Sequence, residues 1–140
     1  MIETTDLVAP DFDLIEEAKR TADTLYLDGF HNVASVLQTH SGQVFSGINI
    51  KSTMRFADVC GEVAALSAMV GAGQRDPETI VAVRGDGEGT HEILPPCGRC
   101  RELISDFGLE VWVIVGTLER PQKVRVTALL PLKAWSGAPD

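Results

Sequence analysis

The sequence predicts an α/β fold in which helices cover a mixed sheet. Three observations carry that prediction. Short apolar, β-branched runs alternate along the chain with longer stretches whose apolar residues recur every three or four positions. Glycine-containing turns separate these units. The 140 residues, 44% of them apolar, suffice for one core and contain no internal repeat, low-complexity tract or linker. The chain therefore reads as a single domain over residues 1–140, with only the first ten residues and Ser136 to Asp140 loosely held.

The elements follow in order. Asp11 to about Tyr26 reads as a helix, because Phe12, Ile15, Ala18, Ala22 and Leu25 recur at helical spacing between charged residues, and Gly29 ends it. Val33–Thr39 and Val44–Ile50 read as strands joined by the turn residues His40 to Gln43, a hairpin. Lys51 to Val59 is irregular. Cys60 to Val70 reads as a helix that is apolar nearly all round, which predicts burial within the domain, and Gly71 and Gly73 stop it. Ile80–Arg84 is a short apolar strand followed by a glycine- and acid-rich loop to Thr90. Cys97–Phe107 reads as a helix ended by Gly108, Val111–Gly116 as a strand, and Val124–Thr127 as a last strand.

Composition excludes several classes. No apolar run approaches the length that crosses a bilayer, and the acidic, polar N-terminus lacks the basic start and apolar stretch of a secretory signal, so a cytoplasmic location with no membrane partner is expected. The net charge of −8 repels phosphate backbones, which counts against a nucleic-acid partner and leaves room for a small-molecule substrate.

All three cysteines of the chain fall in two motifs, Cys60-Gly61-Glu62 and Pro96-Cys97-Gly98-Arg99-Cys100. Cys97 and Cys100 are one helical turn apart and face the same side. Pro96 stands just ahead of that helix, where its missing N–H costs little. Cys60 also opens a helix, and the partial positive charge at both helix starts favours thiolate over thiol. Three protein ligands plus water is the catalytic pattern for zinc, and Glu62, two residues from the first ligand, is placed to handle that water's protons. One zinc ion per subunit is the expected cofactor. Three thiolates make such a water less acidic than three imidazoles do. Arg99 and Arg101 either offset this by drawing charge from the sulfurs or are solvated surface arginines. Two alternatives stay open: three free cysteines with no metal, and a closed structural zinc with His91 as fourth ligand, which leaves Glu62 without a task. Glu62 has its own alternative, a buried carboxylate paired with a distant arginine. The signature is that of zinc deaminases acting on nucleobases, with Cys in place of His at the first ligand.

These residues resemble the cytidine deaminase family, whose motif is Cys-Ala-Glu followed by Pro-Cys-x-x-Cys-Arg. Within it, the fuller string Pro96 to Arg101, the stretch His31-Asn32-Val33-Ala34-Ser35, and Leu129-Leu130-Pro131 with Trp135 are most similar to the blasticidin S deaminases. The likeness runs from about Val33 to Trp135. It implies a three-layer fold with a five-stranded mixed sheet, a homotetramer with active sites near subunit boundaries, and hydrolytic deamination of a cytosine ring to uracil with release of ammonia. It implies that Asn49 binds a sugar hydroxyl, that the backbone N–H groups around Gly61 and Glu62 hold the ring carbonyl, and that the Pro95 carbonyl accepts from the departing amine. Three positions depart from the ordinary cytidine deaminase pattern. Lys51 replaces a ribose-binding Glu, His31 replaces a Phe that packs on the nucleoside, and Val63 stands where Arg is frequent. Lys51 is compatible with a carboxylate on the sugar, such as blasticidin S carries, or is a solvent-facing loop lysine. His31 is a substrate contact or a hydrogen-bonded structural histidine. The loop from Asn49 to Cys60 is longer than in the blasticidin enzymes and matches the ordinary spacing.

The expected function is a zinc aminohydrolase for a free cytosine nucleoside or a close analogue. The same mechanism on a different amino-heterocycle, and a non-catalytic zinc-stabilised binding module, remain as alternatives; an editor of RNA or DNA conflicts with the charge.

Overall fold

The computed structural model describes residues 2–133. Trp135 and the tail from Ser136 to Asp140 lie outside the described residues. In chain order the elements are β1 (Thr5–Asp6), α1 (Ala9–Thr24), β2 (Val33–Thr39), β3 (Val44–Ile48), α2 (Gly61–Gly71), β4 (Pro77–Gly85), β5 (His91–Ile93), α3 (Gly98–Phe107), β6 (Trp112–Gly116) and β7 (Pro121–Arg125), followed by a 3-10 turn over Val126–Leu129.

The strands form one mixed sheet in the order β1-β7-β6-β4-β2-β3, with β5 also paired to β4. Only β4 and β6 run parallel; every other pair is antiparallel. The sheet has seven strands where five were expected. The two additions are β1, two residues on the edge of β7, and β5, three residues that pair with the end of β4 beyond the reach of β6. Neither is long enough to show an alternating pattern. The last strand lies earlier than its apolar residues indicate, at Pro121–Arg125, and Val126 and Thr127 belong to the 3-10 turn.

Alternation along the strands divides the core into two layers. Val36, Val81, Val83 and Ile114 point to one face, where Leu14, Ile15 and Ala18 of α1 cover them. Leu37, Ile80, Val113 and Val124 point to the other, against Ala65, Leu66 and Met69 of α2 and Ile104 of α3. The result is a three-layer α/β arrangement. In α1, Leu14 joins the buried stripe, whereas Phe12 and Leu25 are exposed. The first turn of α1 contains Pro10, and the buried Asp11 accepts from the Val8 N–H at 2.9 Å and from Lys123 Nζ at 2.8 Å, tying the helix start to β7.

Helix α2 is only half covered. Gly61, Glu62, Ala65, Leu66 and Met69 are buried, while Ser67, Ala68 and Val70 are exposed, because the sheet covers one side of a helix whose other side is equally apolar. It lies very close to β3. A Cβ on Gly47 would stand 2.3 Å from the Ala65 backbone nitrogen and 2.6 Å from the Ala64 carbonyl carbon, so glycine sets how near the helix can come. Among the described residues no helix is long and apolar enough to cross a membrane.

Candidate active site

Two helix starts are brought together on one side of the sheet. Cys60 is the last extended residue before α2 (φ −72°, ψ 154°), and Cys97 is the last before α3 (φ −67°, ψ 167°). Cys100 follows in the first turn of α3. The Cys60 and Cys97 sulfurs lie 3.7 Å apart, and the three Sγ atoms all fall within 4.8 Å of one another. Three thiolates at about 2.3 Å from a tetrahedral zinc are separated by about 3.8 Å, whereas a disulfide needs about 2.0 Å. The cluster therefore suits a metal ion, and all three cysteines are free. His91, the conceivable fourth ligand, has its Nε2 2.8 Å from Asp23 Oδ1 and is not part of the group.

The two neighbouring arginines have different tasks. Arg99 donates to Cys60 Sγ at 3.4 Å and to the Asp58 carbonyl at 3.1 Å, drawing charge from one sulfur. Arg101 Nε donates to the Pro96 carbonyl at 2.8 Å, so of the two readings the sequence left open for it neither the offset nor a solvated arginine describes it.

Glu62, in the first turn of α2, is 6% exposed, and its Oε2 lies 3.7 Å from Cys100 Sγ. Burial raises its pKa; its own backbone N–H and the Cys100 thiol counter this only in part. Burial, then the Glu62 charge, pushes the Cys100 thiol up strongly. For Cys97 burial also raises the pKa, but the Cys100 backbone N–H and the neighbouring thiols outweigh it and bring it below the ordinary thiol value. The Cys97 and Cys100 thiols are thus shifted in opposite directions beside one carboxylate. A divalent metal favours the thiolate form at both.

A cavity of about 230 Å³ opens beside the cysteines. Val33, Ile50, Val59 and Leu94 give it apolar walls, and Asn49, Lys51, Asp58 and Glu62 give it polar ones; Cys60, Gly61, Pro95 and Cys97 complete the lining. The structure thus brings Asn49, Lys51, Gly61 and Pro95 into one cavity with Glu62 and two of the cysteines. His31 does not line it. Its Nδ1 lies 2.8 Å from the Asn49 carbonyl, an acceptor, so Nδ1 carries the proton. The Asn49 side chain is itself held, with Oδ1 accepting from the N–H groups of Asn32 (2.8 Å) and Val33 (2.9 Å) and Nδ2 3.3 Å from Asn32 Oδ1. A larger concavity, about 900 Å³ near Trp112 and Arg125, contains none of the cysteines.

Asp58 and Leu94 also line the cavity, and the sequence gives no signal for either. Asp58 arrives through a turn closed by its own carboxylate, which accepts from the Ser52 N–H at 2.6 Å. Leu94 arrives through a backbone bond to Ala82 at the end of β5, a strand too short to read.

Residues 10–116 match the family described as the cytidine and deoxycytidylate deaminase zinc-binding region. The chain belongs to this family. It is similar to a blasticidin-S deaminase of Bacillus cereus, 32% identical over 136 residues that cover 94% of this chain and 97% of that protein. It is also similar to a cytidine deaminase of Halalkalibacterium halodurans, 30% identical over 84% of this chain and 89% of that one. A solved cytidine deaminase from Burkholderia pseudomallei superposes with a TM-score of 0.75 at 27% identity, covering 90% and 98% of the two chains. The chain is accordingly a deaminase-family hydrolase of carbon–nitrogen bonds, with a zinc-binding domain and a three-cysteine cluster able to hold the ion.

Proposed function

We propose that the protein deaminates a cytosine nucleoside, either cytidine, deoxycytidine or an analogue like blasticidin S, to its uracil form with release of ammonia. One observation carries the reading: the buried Glu62 carboxylate stands 3.7 Å from a cysteine of the metal cluster, inside a cavity with room for a small ring.

Cys60, Cys97 and Cys100 would hold the zinc ion, which when bound would supply a Lewis acid to lower the pKa of water toward neutrality. The remaining chemistry belongs to the chain. Glu62 takes a proton from the attacking water and gives it to the ring nitrogen. It then takes the water's second proton from the new C4 hydroxyl and delivers it to the amine as the C4–N bond breaks, so that ammonia leaves and the ring keeps the water's oxygen as a carbonyl. Enclosure raises the Glu62 pKa toward the range where one carboxyl can do both. The backbone N–H groups around Gly61 and Glu62, at the start of α2, are the donors for the ring carbonyl, that of Glu62 being shared with its own carboxylate. Arg101 occupies the Pro96 carbonyl, which leaves the Pro95 carbonyl to accept from the departing amine. Asn49, held by Asn32 and Val33, offers Nδ2 to a sugar hydroxyl. His31 serves as a positioning residue that fixes the Asn49 backbone.

The similarity to both a blasticidin-S deaminase and cytidine deaminases supports this range of substrates. The exposed apolar side of α2 and the family likeness support a homotetramer. The acidic surface supports a small-molecule partner rather than nucleic acid, and a single cytoplasmic zinc domain is the simplest form of the reading. The test is to incubate the zinc-loaded protein with cytidine, deoxycytidine and blasticidin S while following ultraviolet absorbance and ammonia. Loss of the 4-amino group from at least one is expected. Inertness toward all three, with zinc present, would overturn the assignment.

A further inference from the structure

Pro95, whose carbonyl stands ready for the departing amine, is held by neighbours rather than by an element of its own. Pro95 and Pro96 belong to no helix or strand and join the end of β5 to Cys97. Neither has an N–H, so neither can anchor itself to a strand. Each ring fixes its own φ, and a residue that precedes a proline is confined to extended conformations, a limit that falls on both Leu94 and Pro95. The segment is therefore stiff inside, and its direction depends on how its two ends are tied.

The first tie is the Leu94 N–H, which donates to the Ala82 carbonyl of β4 at 3.0 Å. The second is Arg101. Its backbone N–H closes the first turn of α3 on the Cys97 carbonyl at 2.9 Å, and its side chain reaches back over that turn so that Nε donates to the Pro96 carbonyl at 2.8 Å. Pro96 is buried and shares a narrow gap in the packing with Glu62, Leu94 and Ile104, whereas Pro95 is exposed and lines the cavity. With the φ of Pro96 locked by its ring, the rotation left between the Pro95 carbonyl and the start of α3 is the ψ of Pro96, and the bond from Arg101 holds it. The chain has twenty Asp and Glu residues, yet the part-buried Arg101 pairs with none of them among the described residues. Its side-chain hydrogen bond goes to this carbonyl instead.

Resting on the deaminase reading, we propose that Arg101 is a positioning residue for loss of the amine: by fixing the Pro96 carbonyl it aims the Pro95 carbonyl at the substituent on C4. In the substrate that substituent is a planar amino group conjugated with the ring. Once water has added to C4 it is a tetrahedral amine, which takes a proton by way of Glu62 and leaves as ammonia with the electron pair of the C4–N bond. An N–H on the protonated nitrogen makes a charge-assisted hydrogen bond, roughly twice as strong as a neutral one. A correctly aimed acceptor therefore lowers the barrier more than it strengthens binding. Arg101 acts only through the two prolines and touches no reacting atom.

The experiment compares cytidine with the ribonucleoside that has chlorine in place of the 4-amino group, since a leaving chloride has no hydrogen to offer a carbonyl. The zinc-loaded full chain, Arg101→Met and Arg101→Lys are assayed with both, and uncatalysed hydrolysis is subtracted. Arg101→Met is expected to lower kcat for cytidine about tenfold with KM within about twofold, and to change kcat for the chloro compound by less than about twofold. Arg101→Lys keeps a cationic donor and is expected to restore most of the cytidine rate. Zinc per subunit, and the calorimetric Kd of a 3,4-dihydro nucleoside bearing a C4 hydroxyl and no amine, are expected to stay within about twofold in both variants. Equal losses on the two substrates, a rise in KM as large as the fall in kcat, or loss of zinc would overturn the inference while leaving the deaminase reading standing. Arg101→Gln carries the same comparison if Arg101→Met does not fold, and if the chloro compound is inert the split between kcat and KM decides with the calorimetry. No turnover of either substrate by the unmutated chain would instead strike the deaminase reading.

Discussion

The two ends of the cavity are built on different principles. At the cysteine end every functional group is fixed by an element of the fold: two sulfurs sit on the last extended residue before a helix, a third lies in the first turn, and Glu62 is buried between α2 and the sheet. At the other end a loop outside any helix or strand presents Lys51 and Arg55 without partners, and between and beside them Met54 and Phe56 are 70% and 78% exposed. Bond-making chemistry needs positions held to a fraction of an ångström, and the packed end provides them. Recognition of a substituent tolerates looser geometry, and the loop can change without disturbing the core. Mutations at the two ends are therefore expected to separate: kcat and metal content should follow the cysteine end, KM and substrate preference the loop end.

The largest effect is expected at the sulfurs. Cys100 is completely buried. Cys100→Ala leaves two thiolates where three are needed and should reduce zinc well below one per subunit, abolish deamination and lower thermal stability. Metal analysis, activity and a melting curve measure all three, and a variant with full zinc content and activity would break the assignment of this end. Glu62→Gln is the sharper cut, since it keeps volume and removes the proton carrier. Zinc should remain, while kcat falls on the order of 10³-fold with little change in substrate binding. A fall of less than tenfold would mean that Glu62 does not carry the protons.

How much of this was legible in the sequence follows the same division. The cysteine end was readable because its ligands are close in sequence to helix starts that announce themselves: Pro96 before one and an apolar run after Cys60 for the other. Strand β2 was readable to the residue, because its apolar run is bounded by a turn on one side and by the Gly29 turn on the other. The last strand was shifted because Lys123 and Arg125 look like surface residues. Lys123 is nevertheless 7% exposed, with its ammonium on Asp11 and over the Trp112 ring, partners that pair with it only in three dimensions. Helix α2 misled in the other direction, since an apolar outer side does not say whether the domain itself or another chain covers it. The difference between Arg99 and Arg101 was likewise hidden. Both adjoin Cys100, and only the direction of each side chain from the start of α3 separates one that reaches Cys60 from one that reaches the Pro96 carbonyl.

Glycines at close approaches give an intermediate test of the packed end. Gly47→Ala places a methyl against the α2 backbone, where nothing can move without shifting the helix, and is expected to cost about 3 kcal/mol in denaturant unfolding. Gly61→Ala meets the Val33 carbonyl oxygen at 2.9 Å and the Ser35 nitrogen at 3.1 Å, a milder crowding expected to cost about 1 kcal/mol. Because Gly61 opens the helix that carries Glu62, its alanine variant should lower kcat several-fold as well. Equal losses at the two positions would mean that the α2 start is as tightly seated as its middle.

The smallest expected effect probes whether the two ends are as separate as their construction implies. Asp58 ties the loop to Ser52 with its side chain, while its backbone carbonyl accepts from Arg99, which also donates to Cys60 Sγ. Asp58→Ala removes the first connection and keeps the second. If the loop end acts alone, KM for cytidine should rise about threefold, the Ser52 amide should exchange faster with solvent, and kcat should stay within a factor of two. If kcat instead falls as far as KM rises, the loop is mechanically coupled to the metal ligands through Arg99. Arg99→Met should then reproduce the kcat loss, and the division between a fixed chemical end and a free recognition end gives way to a single strained unit.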